Sequence, residues 1–335
     1  MNRDKRAKIY YFLGHEQFQP EKLVEDSVTA EEVGFDGLFV SEHFNPWVSD
    51  LGAAGFALAT IGAIAERTKK IELMTGVISP LFRFHPAVVA QAAATLDRLS
   101  GGRFYLGVGT GESINEVPLG YDFPGYVERS ERMKEALIIM EKLLGGEKIN
   151  YNGKFYAANN VKLYSPPLKR VPTLLAAGGP KSAVIAAHYS DGIIVSVKNP
   201  HESLEKIINP YIKEATEKNK IPEIVTTRWT IFAKNKEDAF KAISPWRGLR
   251  APQRHLARDP EHLQEKADSM ETEDILSRYT LVKNPDDYIR AYSPLISQLK
   301  ADTVVIQTTS SGNQKDLIRL LGKHVLPALK KYVQK

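Results

Sequence analysis

Apolar side chains fall along the chain in two rhythms that alternate from one end to the other. Short continuous runs rich in Val, Ile, Phe and Tyr occur at 8–13 (KIYYFL), 36–41 (DGLFVS), 71–78 (IELMTGVI) and 103–109 (RFYLGVG). Four more follow at 173–177 (TLLAA), 192–197 (GIIVSV), 224–233 (IVTTRWTIFA) and 302–308 (DTVVIQT). Runs this short and this continuously apolar predict strands buried on both faces, as in a parallel sheet. Between them the apolar positions recur three and four apart. Leu23, Val24, Val28 and Val33 do so within 20–33, Val88, Val89, Ala92, Ala93 and Leu96 within 86–99, and Met133, Ala136, Leu137, Met140 and Leu143 within 127–145. That spacing predicts helices with one face against a sheet, and a last one is expected over 313–333. Strands alternating with helices imply parallel pairing through crossovers, and eight strands close a (β/α)8 TIM barrel. An open doubly wound sheet is the alternative arrangement.

Two stretches break the alternation. Residues 146–170 contain Asn152-Gly153 between short apolar segments and read as an Asn-Gly hairpin inserted after the fourth helix. Residues 243–282 are long and polar and carry Trp246, Arg247, Arg250, Arg254, His255 and Arg258. Long insertions in a barrel serve as surface decoration or as lids over the substrate. The expected organisation is one barrel domain over 1–335, with insertions at about 146–170 and 243–282.

Composition narrows the function classes. The chain of 335 residues is 43% hydrophobic and 25% charged, which suits a folded globular protein and not a disordered one. No run approaches the ~18 uninterrupted apolar residues of a membrane span. The basic opening MNRDKRAKIYYFLGHEQF has an apolar stretch of only about six residues and no small-residue cleavage site, so no secretory leader is expected. The chain has no cysteine, which excludes disulfide scaffolds, thiolate metal sites and a cysteine nucleophile. Its net charge of +5 mildly favours anionic ligands. The cations are spread along the chain, without the stripe that nucleic-acid binding needs. A cytoplasmic protein is expected.

In a barrel the working face is built from loops at the C-terminal ends of the strands. Just past the predicted strands stand His15 and Glu16, then Glu42, His43 and Trp47 in SEHFNPW, then Ser79 and Arg83. Thr110, Gly111, Glu112 and Asn115 follow in GTGESIN, then Gly178 and Gly179 in AAGGP, then Ser196 and Lys198. This clustering points to an enzyme. His43 beside Trp47 suggests a titratable base against a flat apolar wall; the bland reading is a buried histidine bonded to a carbonyl. Glu42 and His43 are adjacent, and no HExxH or second paired histidine follows, so no metal is expected. GVGTGES has Glu112 where a dinucleotide fingerprint needs its last glycine, so the turn reads as a close backbone approach to a planar ligand with Glu112 reaching over it. The other reading is a helix start that Glu112 merely complements. AAGGPKSA ends a strand and puts Pro180 at a helix start, an arrangement suited to an anion or to a tight turn alone. Lys198, Arg254 and Arg278 are too far apart in sequence for spacing to bring them together.

SEHFNPW, GVGTGESINE and AAGGP together resemble the deazaflavin-dependent branch of the luciferase-like superfamily, nearest to the coenzyme F420-dependent glucose-6-phosphate dehydrogenases. The likeness runs nearly end to end through EQFQP, AERTKK at 65–70, FRFHPAVVAQAAATL at 82–96 and RHLARDP at 254–260. It implies a (β/α)8 barrel, a homodimer, bound coenzyme F420 and a sugar phosphate as substrate. It implies His43 as general base on the C1 hydroxyl, Glu112 as the proton donor to the deazaflavin, Trp47 as a stabilising indole and Glu16 as a further active-site carboxylate. Cofactor contacts carry over to Glu42, Ser79, Thr110, Gly111, Asn115, Gly178, Gly179, Lys181 and Ser182, with a bulge, often a non-proline cis peptide, near Gly76-Val77. The phosphate pocket carries over to Ser196, Lys198, Arg254 and Arg278. The chain departs from the family at Glu42, where the family has aspartate, at Ser79 for threonine, at Arg254 for lysine, and in a shorter Ser196–Lys198 loop. The alternatives are an F420-dependent secondary-alcohol dehydrogenase or other F420-dependent reductase, an FMN-dependent monooxygenase of the wider superfamily, and a non-catalytic deazaflavin-binding protein.

Overall fold

The computed structural model describes residues 6–332. The start of the basic opening segment (1–5) and Val333, the end of the helix expected over 313–333, lie outside the described residues. Eleven strands form: β1 (Lys8–Leu13), β2 (Gly37–Val40), β3 (Glu72–Thr75), β4 (Phe104–Val108), β5 (Ile149–Asn152), β6 (Ala157–Val161), β7 (Thr173–Ala176), β8 (Gly192–Ser196), β9 (Glu223–Phe232), β10 (Thr280–Val282) and β11 (Thr303–Ser310). Eight of them pair in parallel in the order β1-β2-β3-β4-β7-β8-β9-β11, and β11 returns to β1, so the barrel closes. The open-sheet alternative is thereby excluded. Where the run 71–78 was read as one strand, the ladder stops at Thr75: the Gly76–Val77 peptide is cis, and Ile78 rejoins by a single bridge to Val108.

Side chains alternate across each strand, as the pleat requires. In β1, Tyr10 and Phe12 fill the barrel interior with Phe39, Met74, Leu174, Ile194, Trp229 and Val305. Ile9, Tyr11 and Leu13 face outward into a second layer of core beneath the helices. The helices start on residues that suit a helix N-terminus. Proline opens α1 (Pro20–Glu32) and α3 (Pro86–Ser100), and the α3 N-cap His85 also accepts from the Ala87 N–H. Gly101, at φ 67° in the left-handed region, ends α3. Between them lies α2 (Ala57–Arg67); α4 (Ser113–Glu116) and α5 (Tyr126–Leu144) follow. The later helix α6 (Pro180–Tyr189) again opens on a proline, which the AAGGP reading anticipated. No helix among the described residues is long and apolar enough to cross a membrane.

The predicted hairpin exists, but its turn is not the two-residue Asn-Gly type. Asn152 pairs with Ala157, leaving four residues between them. The N–H groups of Lys154, Phe155 and Tyr156 donate to the Glu135 carboxylate on α5, and this tertiary anchor sets the loop. The 243–282 stretch is a capping layer. It contains two short helical turns, Ser244–Arg250 and Arg254–Leu256, then helices Pro260–Asp268 and Thr272–Leu276, and it ends in β10 beside the far end of β9. Trp246, 2% exposed, inserts from it against Phe12 and Trp229 of the barrel interior, with ring centroids 5.6 and 4.7 Å away.

Candidate active site

A cavity of about 410 Å³ opens where β2, β3, β4, β7, β8, β9 and β11 end. Its wall includes Glu42, His43, Gly76, Val77, Ser79, Thr110, Gly111, Glu112, Asn115, Gly178, Ser196 and Arg254. His43 and Glu112, 69 positions apart in sequence, thus face one space. Trp47 and Glu16 lie behind His43. Gly179, Lys181 and Ser182 form the first turn of α6, where Ser182 Oγ donates to the Gly179 carbonyl at 2.9 Å. Lys198 and Arg278 are exposed residues and are not part of the cavity wall.

His43 sits just past β2, with only 12% of its side chain exposed. Its ring lies 4.5 Å from the Trp47 ring, and its Nε2 is 3.8 Å from Glu16 Oε1. Nδ1 is 3.2 Å from the Asn45 carbonyl and 3.1 Å from Asn115 Nδ2. Asn115 is itself pinned, because its Oδ1 accepts from the Phe44 and Asn45 N–H groups at 3.0 and 3.1 Å. Burial, reinforced by the Arg83 charge, pushes the imidazole down to about 3. Glu16 is 2% exposed, and burial pushes its carboxyl up to about 7 against the opposing hydrogen bond from Ser41 Oγ. His15 differs in kind: both ring nitrogens are occupied, by the Ser41 carbonyl and Thr60 Oγ1, at 2.8 and 2.9 Å. It is a satisfied core histidine.

Beneath the cavity Arg83 joins two acids. Its Nη2 donates to Glu42 Oε1 at 2.7 Å and its Nη1 to Glu116 Oε1, with all three side chains at most 7% exposed. The glycine pattern of β4 follows from the same neighbourhood. A Cβ on Gly107 would stand 2.1 Å from the Thr75 carbonyl oxygen, and Gly111 has φ +79° with Ser79 Oγ 2.9 Å from where its Cβ would lie. Ser79 Oγ and Gln307 Oε1, both of residues on the cavity wall, are buried with no hydrogen-bond partner. Space is open where Gly178 and Gly179 would carry side chains. Arg254 Nη2 donates to Glu112 Oε1 at 2.9 Å, and its guanidinium lies 5.4 Å from the Trp47 ring centroid. Glu112 is indeed the N-cap residue of α4, yet its carboxylate makes no cap bond and binds Arg254 instead.

The sequence reading passed over several groups here: the Arg83–Glu116 pair, Gln307 and Trp229 on the wall, and Arg250, which also lines the cavity. Arg83 stood at a strand end, the one signal available. Arg250 lay among five other basic or aromatic residues in a polar stretch with no periodicity to single it out. Among the described residues no cluster of three His, Asp or Glu could hold a metal ion. A larger crevice, about 810 Å³, lies at the opposite end of the barrel between the starts of β7 and β8 and the end of α5. Lys142, Lys169 and Lys220 mix there with Glu141 and an Arg170–Asp191 ion pair, without buried unpaired polar groups.

Residues 8–292 match the luciferase-like monooxygenase family. An F420-dependent glucose-6-phosphate dehydrogenase of Microbacterium testaceum is 33% identical over 327 residues, 96% of this chain and 97% of its own length. One from Amycolatopsis mediterranei is 36% identical over 296 residues, 86% of this chain and 89% of its own. Among solved structures, an F420-dependent secondary alcohol dehydrogenase in complex with an F420–acetone adduct superposes with a TM-score of 0.88 at 28% identity, covering 97% of this chain and 99% of that one. The F420-dependent tetrahydromethanopterin reductase of Methanopyrus kandleri, at 19% identity and a TM-score of 0.78, shares the fold. With the barrel and near full-length matches in agreement, this chain belongs to the luciferase-like monooxygenase family, among its F420-dependent members.

Proposed function

We propose that this protein oxidises the C1 hydroxyl of a sugar 6-phosphate, glucose 6-phosphate foremost, passing the hydride to coenzyme F420 and releasing 6-phosphogluconolactone. The carrying observation is a single cavity whose wall carries both a neutral imidazole and the guanidinium groups of Arg250 and Arg254. The cofactor fits the polar atoms that lack partners. Ser79 Oγ, Gln307 Oε1 and the open backbone at Gly178 and Gly179 suit the edge and face of a planar heterocycle, with Thr110, Gly111 and Asn115 beside them. Gly179 and the α6 N-terminus, with Lys181 and Ser182, suit its phosphodiester. When bound, the deazaflavin supplies a ring carbon that accepts hydride; the protein orients reactants and moves protons.

His43 takes the hydroxyl proton. The ring is neutral at working pH and so is able to accept a proton. Glu16, 3.8 Å from Nε2, stabilises the imidazolium as it forms, once it is itself ionised. Glu112 holds the proton needed on the cofactor side. Its partner Arg254 is shared between Glu112 and the substrate's phosphate. Trp47 keeps His43 in place, and Glu42, occupied by Arg83, braces the cofactor loop instead of contacting ligand through a free carboxylate.

Reduction of F420 by glucose 6-phosphate, followed as loss of the oxidised deazaflavin's absorbance, tests the proposal. Turnover with the sugar phosphate and little with propan-2-ol is expected; the reverse preference would overturn it in favour of a secondary-alcohol dehydrogenase, the reading that the 0.88 superposition supports. We further propose a single-domain chain acting as a homodimer in the cytoplasm. Light scattering of the purified protein checks the assembly, and a monomer at micromolar concentration would refute it.

A further inference from the structure

Arg250 is the odd cation of this site. It ends the helical turn Ser244–Arg250, lines the cavity and lies 5.7 Å from the centroid of the Tyr279 ring. Its Nε is buried without a hydrogen-bond partner, and among the described residues the side chain makes no ion pair. Every other arginine of the cavity wall is engaged: Arg83 by two carboxylates, Arg254 by Glu112. Arg278 folds over the same turn, its Nη1 donating to the Arg250 carbonyl at 2.6 Å. Lys198 feels this group, since the Arg250 charge is the leading cause that lowers its ammonium, with burial and then Arg254 and Arg278 adding to it. A half-buried guanidinium facing like charges is unfavourable on its own and is compensated by an anion. Glu112 pairs with Arg254 and the Glu202 charge reaches Lys198, but among the described residues Lys198, Arg250 and Arg278 make no ion pair.

We propose that Arg250 is the specificity-determining cation of an anion subsite, completed by Lys198, Arg254 and Arg278, that selects a phosphate dianion over monoanions and over neutral sugars. The inference rests on the sugar-phosphate reading above and adds to it the residue that discriminates. Arg250 takes that role because it is half-buried, with its Nε out of reach of water and its guanidinium held against Tyr279, so its donors are already placed and are less screened than those of the exposed cations. Lys198 and Arg278 are exposed and screened by water, and Arg254 is divided between phosphate and Glu112. Three unneutralised charges exceed what a carboxylate balances, whereas a phosphate monoester carries a second negative charge above its second pKa of about 6.

The test uses the F420-loaded enzyme and two variants, Arg250→Gln and Arg250→Lys. Arg250→Gln should raise the KM for glucose 6-phosphate and the inhibition constant of inorganic phosphate by about 10–100-fold, with F420 affinity and melting temperature near wild type. Arg250→Lys should recover part of the loss, keeping charge but not the planar fork. Wild-type KM and phosphate inhibition in a folded Arg250→Gln protein would overturn the subsite. If that variant fails to fold, the wild-type enzyme decides: inhibition by a phosphate monoester such as glycerol phosphate should weaken as pH falls through about 6, while inhibition by sulfate stays level. Monoester inhibition that ignores this ionisation would also overturn it. The two proposals fail separately. No turnover of any sugar phosphate, with phosphate binding still dependent on Arg250, removes the reaction and leaves the subsite. Turnover indifferent to Arg250 does the opposite.

Discussion

Burial gives His43 and Glu16 opposite titration behaviour only 3.8 Å apart. The imidazole falls to about 3 and the carboxyl rises to about 7, each moving toward its neutral form. A base already neutral at working pH gives no acid limb of its own. The rate should therefore follow Glu16, rising with pH through about 7 as its carboxylate becomes available to the forming imidazolium. Glu16→Gln should flatten that rise and lower kcat by roughly 10-fold or more, with F420 affinity unchanged; a variant that keeps the pH dependence would assign it elsewhere. Removing the base itself is costlier: His43→Ala should reduce turnover by about 10²–10⁴-fold, again with the cofactor still bound in a fluorescence titration. The same shift has a stability sign. Between pH 4.5 and about 7 the folded Glu16 holds a proton that the unfolded one has lost, so its contribution is full below 4.5 and declines as pH rises through about 7. Relative to Glu16→Gln, wild type should lose on the order of 3 kcal/mol across that window in urea titrations at pH 4.5 and 7.5. His43, lowered in the folded state, gains stability from pH 3 toward 6.5 and offsets part of this in the wild type, so only the difference between the two proteins reports Glu16.

At the scale of elements, the cavity wall depends on how the ends of β2, β3 and β4 are tied. Arg83 follows β3, Glu42 follows β2, and Glu116 belongs to α4 after β4, so one guanidinium joins three consecutive strand ends. Removing it would strand two carboxylates that are 3% and 0% exposed. Arg83→Met should cost about 3–5 kcal/mol, the range for an uncompensated buried charge, and the triple variant with Glu42→Gln and Glu116→Gln should recover most of it. Equal melting temperatures for wild type and Arg83→Met would show the network to be energetically idle. None of this was legible in the sequence beyond Arg83's position. The eight barrel strands were legible because both their faces are apolar, and their ends pointed to His43, Glu112 and Gly178. Closure of β11 on β1, the orientation of Asn115 toward His43 and the Arg254–Glu112 bond join residues 70 or more positions apart, and no local pattern encodes them. The hairpin shows the limit from the other side: Asn152-Gly153 favours a two-residue turn, and the distant Glu135 carboxylate imposes a four-residue one.

At the scale of the whole molecule, the barrel carries His43, Ser79 and Gly178, and the 244–276 layer carries the guanidinium groups of the proposed anion subsite, Arg250 and Arg254. Their placement depends on how it is fastened across the mouth. Trp246 fastens it inside, with its indole N–H donating to Gln17 Oε1 at 2.8 Å and Gly248 fitted against the Trp47 carbonyl. Arg247 fastens it at the rim, bonding Asp50 at 2.9 Å beyond β2 and Asp268 at 2.7 Å within its own layer, so it bridges layer and barrel. Those aspartates are about half exposed, 44% and 50%, and water can serve them if the arginine leaves. Arg247→Met should thus cost only about 1–3 kcal/mol of stability, less than Arg83→Met costs. Its functional effect should be selective. A loosened layer displaces Arg250 and Arg254 together while His43, Ser79 and Gly178 stay on the barrel, so the KM for glucose 6-phosphate should rise several-fold while F420 affinity holds. Proteolytic cleavage should appear first between 244 and 276. Equal weakening of sugar phosphate and F420 would mean that the layer and the barrel mouth move as one body.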